Sequence, residues 1–459
     1  MKSALVWSAG LAAFGSAVTA TAPPLQTFPI PQSITLGSDT RPLAAGFKID
    51  ANTSASPNLQ EIVTRYEKIF GSAVTSPKLR PGRAEATADE IEGVRLAVES
   101  TDETLDNTTN TSYSIKLGAG DSVVTISSAT SYGAMYGLET LSQLVASSEA
   151  QMEDSTPLSA AALPSTVEVE DHPSLGYRGL TIDVGRRISP LSLLQNTVQA
   201  MSFSKMNVLH LSLSGPVVRL EIKAYPELTA GLTSDQYYTQ EQMKEFVTYA
   251  QSHGVRVIPE IDIPAHASGL RPLQKTQGLT FCDGDTASTI GDTPENLKCV
   301  NTIYDEVVSV FSDPWVHIGG DEVVESTNGT GCSVKEIQTV ETSVQERLIS
   351  VHNKIPMGWN EVYSVPTATV PNAAIPGTTI LQNWKDATNA ATTGAGFLTV
   401  DSTYQQFYLN EQCCRVAPPS ATEDPFGRYT ECYWIDVLDG TQFNPEHCVP
   451  VLAAFANVI

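Results

Sequence analysis

Positive charge is scarce in this chain: 27 Lys and Arg stand against 51 Asp and Glu, a net −24 at pH 7 over 459 residues. Such a balance repels phosphate backbones and anionic bilayers, so neither nucleic acid nor a membrane surface is expected as a partner. Beyond the first twenty residues, long apolar runs are missing too. A bilayer span takes roughly 20 such residues, so none is expected there. Cysteine is absent before Cys282, and none of the seven (Cys282, Cys299, Cys332, Cys413, Cys414, Cys432, Cys448) is paired as C-x-x-C. That removes the paired-cysteine zinc pattern, and H-E-x-x-H is absent as well. No internal repeat is visible.

What remains is globular. With 41% hydrophobic and 17% charged residues, the composition suits a large packed core, and the length suits two or three units. Met1-Lys2-Ser3, the apolar run Ala4 to Ala13 and Val18-Thr19-Ala20 have the layout of a secretory signal peptide over 1–20, with a mature chain from about Thr21. A membrane anchor is the alternative, but the run is short and carries Ser and Gly. Sequons at Asn52, Asn107, Asn110 and Asn328 suit a glycosylated, secreted surface. In that compartment the cysteines read as disulfides. One bridge is expected among Cys282, Cys299 and Cys332 and another among the last four, and the odd count leaves a thiol over.

Residues 21–165 mix strand-like alternation (93–98, 112–117, 122–126) with polar turns, then a helix from Ser131 to about Ala146 with Met135, Leu138, Leu141 and Leu144 at three-residue steps. This is a compact α+β unit, and Ser147 to Thr166 reads as a linker or long surface loop. From 172 to 459 the rhythm changes. Short apolar runs at 179–182, 208–211, 255–259, 316–318, 356–359, 379–381 and 396–400 alternate with helix-length segments such as 191–203, 239–253 and 334–353. That alternation predicts an α/β fold, a (β/α)8 TIM barrel, with a doubly wound open sheet as the alternative.

Chemistry concentrates at 316–323, where the apolar strand Val316-His317-Ile318 stops at Gly319-Gly320 and is followed by Asp321-Glu322. Glycines let backbone approach closely, and acids just past a strand lie where barrels keep their active sites. One carboxylate held ionised and one raised by burial could divide the work of stabilising charge and donating a proton. A surface Asp-Glu opening the next helix is the plain alternative.

His317-Ile318-Gly319-Gly320-Asp321-Glu322 resembles the signature of the family 20 glycoside hydrolases, the β-N-acetylhexosaminidases, of the fungal secreted type. Other segments match in order: 133–144 resembles the last helix of that family's N-terminal domain, Arg178 to Arg186 its first barrel strand, Lys205 to His210 its second and Val257 to His266 its third. The resemblance implies an exo-acting, retaining mechanism in which the substrate's own 2-acetamido group is the nucleophile. It assigns proton transfer to Glu322, the hold on the acetamido N–H to Asp321 and tuning of the acid to His266, with Asp262 and Glu260 nearby. Arg186, oriented by Asp183, would bind sugar hydroxyls. Trp359 and Trp384 would wall the acetamido pocket, and Tyr408 and Asn410 would hydrogen-bond the sugar. The partner is a carbohydrate, terminal N-acetylglucosamine or N-acetylgalactosamine on chitin oligomers or glycoconjugates, and no cofactor or metal is expected.

Two departures matter. Where the family places a second His and then an Asp after the second strand, this chain has Ser212 and Gly215. Without that Asp, His266 is expected to lose its orienting partner and some proton affinity, with Ser212, Ser214 or a water as substitutes. Val451 to Ile459 resembles the family's eighth strand, with Ile459 at the position of a Trp and the sugar-binding Glu beyond it missing. On that reading the barrel is C-terminally incomplete. The uncovered apolar surface, at roughly 25 cal/mol per Å2, would be met by a second copy in a homodimer or by marginal stability. The competing readings are therefore a catalytically impaired glycan-binding or partner subunit and, more weakly, a metallohydrolase built on Asp321, Glu322, His266 and His317.

Overall fold

The computed structural model describes residues 27–52, 56–75, 89–147, 161–282, 288–323, 331–363, 372, 374–385, 392–393, 395–408 and, as backbone alone, 433–438. The expected signal peptide, Asn328, the last four cysteines, Asn410 and 451–459 lie outside them.

Seven strands form the first sheet: β1 (Ser33–Leu36), β2 (Thr40–Ala51), β3 (Ile91–Val98), β4 (Tyr113–Leu117), β5 (Val123–Ser128), β6 (Ala162–Pro164) and β7 (Val167–Asp171). Their order is β1-β7-β4-β5-β3-β2-β6, with β2, β3 and β5 parallel to one another. In β4 and β7 every second residue is buried, as one covered face requires. The cover comes from α1 (Pro57–Thr75) and α2 (Ser131–Ser147), whose Leu59, Ile62, Tyr66, Phe70, Met135, Leu138 and Leu141 share one core with Val94, Ile115, Ile126 and Val169. The segment expected as linker thus contributes β6, which pairs with β2, and the sheet runs on to Asp171.

Eight strands close into a barrel: β8 (Arg178–Asp183), β9 (Val208–Ser212), β10 (Arg256–Glu260), β11 (Trp315–His317), β12 (Ile355–Trp359), β13 (Ile380–Asn383), β14 (Thr399–Asp401) and β15 (Tyr433–Leu438). The strands β8 to β14 run parallel, and β9 and β10 are buried at every residue, which is why their apolar residues read as short runs rather than as an alternation. Closure differs from the sequence expectation: β15 is antiparallel to both β14 and β8. It occupies both otherwise open edges, whose backbone donors and acceptors need partners. Around the ring lie α3 (Leu191–Phe203), α4 (Gln240–Ser252), the short α5 (Leu273–Gln277), α6 (Pro294–Val310) and α7 (Val334–Ser350). Capping boxes start two of them: Thr239 with Gln242 opens α4, and Ser333 with Glu336 opens α7.

Two buried cations tie the frame. Lys205 Nζ reaches Tyr113 Oη and Thr140 Oγ1 at 2.7 Å and Asp171 at 3.1 Å, joining the first sheet to the barrel. At the N-terminal end of the ring, Arg256 grips Asp313 with two bonds, 2.7 and 2.8 Å, and lies against Trp315. Cys282 and Cys332 are bridged and Cys299 is a buried free thiol. No described helix is long and apolar enough to cross a membrane.

Candidate active site

Strand ends supply the site. At the end of β8, buried Asp183 accepts the backbone N–H of Arg186 at 2.8 Å and its Nη1 at 2.5 Å. The turn fixes the arginine while leaving half its side chain exposed. Burial opposes its charge, but Asp183, Asp321 and Asp262 more than offset this and hold its pKa above the ordinary value. Arg186 therefore faces the same field as the β11 acids.

Past β10, the Asp262 backbone N–H donates to Ser214 Oγ at 2.7 Å, and its carboxylate accepts the Gly320 N–H at 3.1 Å. The two glycines after β11 make this approach possible. Gly319 has φ +76°, and a Cβ there would lie 2.0 Å from Asp262 Oδ1. His266 and Glu322 also have positive φ, +51° and +53°, a conformation uncommon outside glycine and enriched at functional sites. Their side chains meet: His266 Nε2 lies 3.2 Å from Glu322 Oε2 and 3.6 Å from Asp321 Oδ2.

This cluster sets its own protonation. Burial pulls His266 toward neutrality, yet its bonds to Asp321 and Glu322 and the charges of Asp262 and Asp321 lift its pKa to about 11. The same contact with His266 holds Glu322 below the ordinary glutamate range, against burial and the charge of Asp321. Burial favours the neutral acid at Asp321, but His266 outweighs it and keeps that carboxyl low. Asp262 is instead pushed well up, by burial and by the charge of Asp321. One expectation is corrected here: neither member of the Asp321-Glu322 pair is raised; Asp262 is. The Cβ position of Gly215 has nothing within 4 Å, and Asp321 and Glu322 raise the proton affinity of His266 without it.

Both tryptophans are anchored through their indole N–H. Trp359, almost wholly buried, donates to Glu260 Oε1 at 3.2 Å and meets His317 edge-on. Glu260, expected beside His266, thus points at Trp359 and also lies 2.7 Å from His210 Nε2. Trp384 donates to the Glu361 carboxylate at 3.0 and 3.1 Å and stacks nearly parallel to Tyr408, 6.4 Å between centroids. Lys385 stands 2.9 Å from Glu361 Oε1 and 4.7 Å from the Trp384 ring centre, and its charge reaches Glu322. Asp321, Glu322 and His266 are therefore brought into contact, Arg186 joins them through the field of Asp321, and Trp384 with Tyr408 joins through Lys385. Sequence reasoning gave Glu361 and Lys385 no role. Their adjacency to the two tryptophans was the only available signal.

Among the described residues, two groups place possible metal-ligating atoms within 4.8 Å of one another: His210, Glu260 and His317, and Asp262, His266 and Asp321. In the first, Gly319 N–H donates to His317 Nδ1 at 3.0 Å, Trp359 Nε1–H donates to Glu260 Oε1 at 3.2 Å, and His210 Nε2 lies 2.7 Å from Glu260 Oε2. Burial and His210 keep His317 well below its ordinary pKa, hence neutral.

Family models match twice: "Glycosyl hydrolase family 20, catalytic domain" over residues 175–442 and "beta-acetyl hexosaminidase like" over 27–144. Similar curated proteins include beta-hexosaminidase subunit A2 of Dictyostelium discoideum, 28% identical over 85% of this chain and 71% of that protein. A beta-hexosaminidase of Emericella nidulans is 32% identical over 55% of this chain and 44% of its own length. The chain spans little more than half of another relative, 56% of subunit A1 of Dictyostelium discoideum. In fold it resembles a family 20 chitobiase of Flavobacterium johnsoniae, with TM-score 0.67 and 22% identity over 87% of this chain and 63% of that one. A β-N-acetylhexosaminidase of Streptomyces coelicolor gives 0.64 and 21% over 85% and 77%. With its catalytic-domain match covering more than half the sequence, the chain belongs to glycosyl hydrolase family 20.

Proposed function

We propose that the protein is a secreted, exo-acting β-N-acetylhexosaminidase that releases terminal N-acetylglucosamine or N-acetylgalactosamine from chitin oligomers or glycoconjugates. In this reading a (β/α)8 catalytic barrel over 172–459 follows a supporting α+β unit over 21–165. The observation that carries it is the contact of His266 with both Asp321 and Glu322 at the strand ends, with Arg186 facing the same acids.

The chemistry follows from adjacency. Asp321 and Glu322 are chain neighbours on one side of the site, so neither stands opposite the other as a nucleophile would. The substrate's 2-acetamido oxygen supplies that role: it bonds to the anomeric carbon as the bond to the leaving oxygen breaks. Asp321, held ionised, accepts the acetamido N–H and stabilises the positive charge that develops on the cyclic intermediate. Glu322 delivers a proton to the leaving oxygen, then takes one from the water that reopens the ring. His266, 3.2 Å away, holds the Glu322 titration low in the free site. Arg186 binds sugar hydroxyls with its planar fork, and Trp384 and Tyr408 pack against the acetamido side of the ring. Trp359 supports that wall from below, and Asn410 completes the polar contacts.

Release of a chromophore from an aryl β-N-acetylglucosaminide by the wild type, beside Glu322→Gln, tests the reading. A rate well above the mutant, with the β-anomer appearing first by proton NMR, is the expected result. An initial α-product would sink the substrate-assisted mechanism. A second reading, a glycan-binding chain that has lost turnover, is favoured by Gly215, which offers His266 no side chain. Wild-type turnover equal to that of Glu322→Gln, together with retained N-acetylglucosamine binding, would establish it.

A further inference from the structure

The 3-10 turn Asn360–Val362, directly after β12, carries a carboxylate that the mechanism above does not use. Glu361 is fully buried, and its oxygens are spent on two consecutive residues of another strand end. Trp384 Nε1–H reaches Oε1 at 3.1 Å and Oε2 at 3.0 Å, and Lys385 Nζ reaches Oε1 at 2.9 Å. The ammonium so held lies 4.7 Å from the Trp384 ring centre. Asn360 adds a third tie, its side-chain oxygen accepting the Trp384 backbone N–H at 3.3 Å. Tyr408 stacks on the indole at 16° and Tyr404 meets it edge-on. A tryptophan needs one acceptor to satisfy its N–H; here a buried, charged acceptor fixes the ring's edge while a cation fixed by the same acceptor covers a face. Glu260 does the simpler half of this for Trp359, through one bond at 3.2 Å.

We infer that Glu361 is a positioning residue: it sets the plane of Trp384 through the indole N–H and through Lys385, and so fixes the wall against which the acetamido group turns toward the anomeric carbon. The inference rests on the hexosaminidase reading for the last step only; the clamp itself is geometry. A wall acts through orientation, and orientation is most demanding when the acetamido oxygen reaches carbon. Loss of the clamp should therefore lower kcat more than it raises KM.

The test uses the full chain and two readouts. The first is the Trp384 indole N–H resonance, identified by its disappearance in Trp384→Phe. In Glu361→Ala it is expected to shift and to exchange with water at least tenfold faster. In Glu361→Gln, which keeps an acceptor but loses the charge, slow exchange should persist. The second is turnover of an aryl N-acetylglucosaminide: Glu361→Ala should lose tenfold or more in kcat with KM within threefold, and Glu361→Gln should stay within threefold of wild type in kcat. On a Trp384→Phe background, Glu361→Ala should lower kcat by no more than threefold further, since the bonded N–H is already gone; if Glu361→Ala does not fold, Glu361→Leu, closer in volume, takes its place on both backgrounds. An unmoved indole resonance in folded Glu361→Ala overturns the inference. So does a shifted resonance with unchanged kcat, or additive losses in the double variant. If the wild type hydrolyses no N-acetylhexosaminide, the function fails while the indole resonance still decides whether Glu361 holds Trp384.

Discussion

His266→Gln removes the one cation in contact with both site acids while keeping a polar side chain in place. The perturbation acts first on Glu322. At 3.2 Å and an effective dielectric of 20, a unit pair is worth about 5 kcal/mol. The Glu322 side chain is 42% exposed, and solvent screening of such a pair leaves on the order of 1–2 kcal/mol. At RT near 0.59 kcal/mol this amounts to roughly a 5- to 30-fold change in the protonated fraction of Glu322 at a fixed pH on its titration. The sign follows from the direction of the shift. Glu322 is held low by His266, so removing the cation moves its titration to higher pH. A general acid must be protonated to act, and kcat/KM falls as pH rises through its pKa in the free enzyme. In His266→Gln the falling limb of the kcat/KM profile should therefore lie at higher pH than in wild type, whatever the loss in absolute rate. A limb that stays in place, or moves to lower pH, would refute the claim that His266 holds the Glu322 titration low.

The same histidine contributes to stability. Its pKa is 6.5 ordinarily and about 11 when folded, so its contribution is complete below the first value and is lost as pH rises through the second; the Tm of wild type should fall relative to His266→Gln across that window in thermal melts. Arg186→Lys keeps the charge but cannot present a planar fork to Asp183 and the sugar together, and KM should rise about tenfold; an unchanged KM counts against its substrate role. Gly319→Ala places a Cβ 2.0 Å from Asp262 Oδ1 at a φ that alone costs an L-residue about 1–2 kcal/mol, so urea unfolding should show a loss of more than that. Cys332→Ser opens the bridge to Cys282 across 50 residues, which chain entropy values on the order of 4 kcal/mol; a midpoint within experimental error of wild type would show the loop ordered without it.

Much of the barrel was legible because its strands are buried on both faces, so Val208 to Leu211 and Val255 to Pro259 appear in sequence as mostly apolar runs, broken only by the buried His210 and Arg256. The first sheet was harder to read. In β2 burial does not alternate cleanly, and its pairing with β3 shifts register between Leu43 and Lys48, so the two-residue period that marks a strand is broken. Helix α1 carries Leu59, Ile62, Tyr66 and Phe70 on one face, but its many polar neighbours hid the stripe. The closing strand β15 could not be read from pattern, because nothing local in Tyr433 to Leu438 states its direction.

The site divides in the same way, between what lies along the chain and what lies across it. Asp321, Glu322 and His266 are carried by contiguous motifs and were found. Their proton affinities depend on distances between β10 and β11, which no motif encodes. Reasoning from Gly215 alone weighed one missing carboxylate, but proton affinity responds to every charge nearby, not to one partner. Asp262, Asp321 and Glu322 all bear on the ring, and the glycine turn after β11 brings two of them there. The departure at Gly215 therefore removes a side chain that could orient the imidazole without removing the field that charges it. Orientation and charge are separable demands on one histidine: if Gly215 impairs this protein, it does so by leaving the ring free to turn, a defect that lowers the height of the pH profile and leaves its limbs where the carboxylates put them.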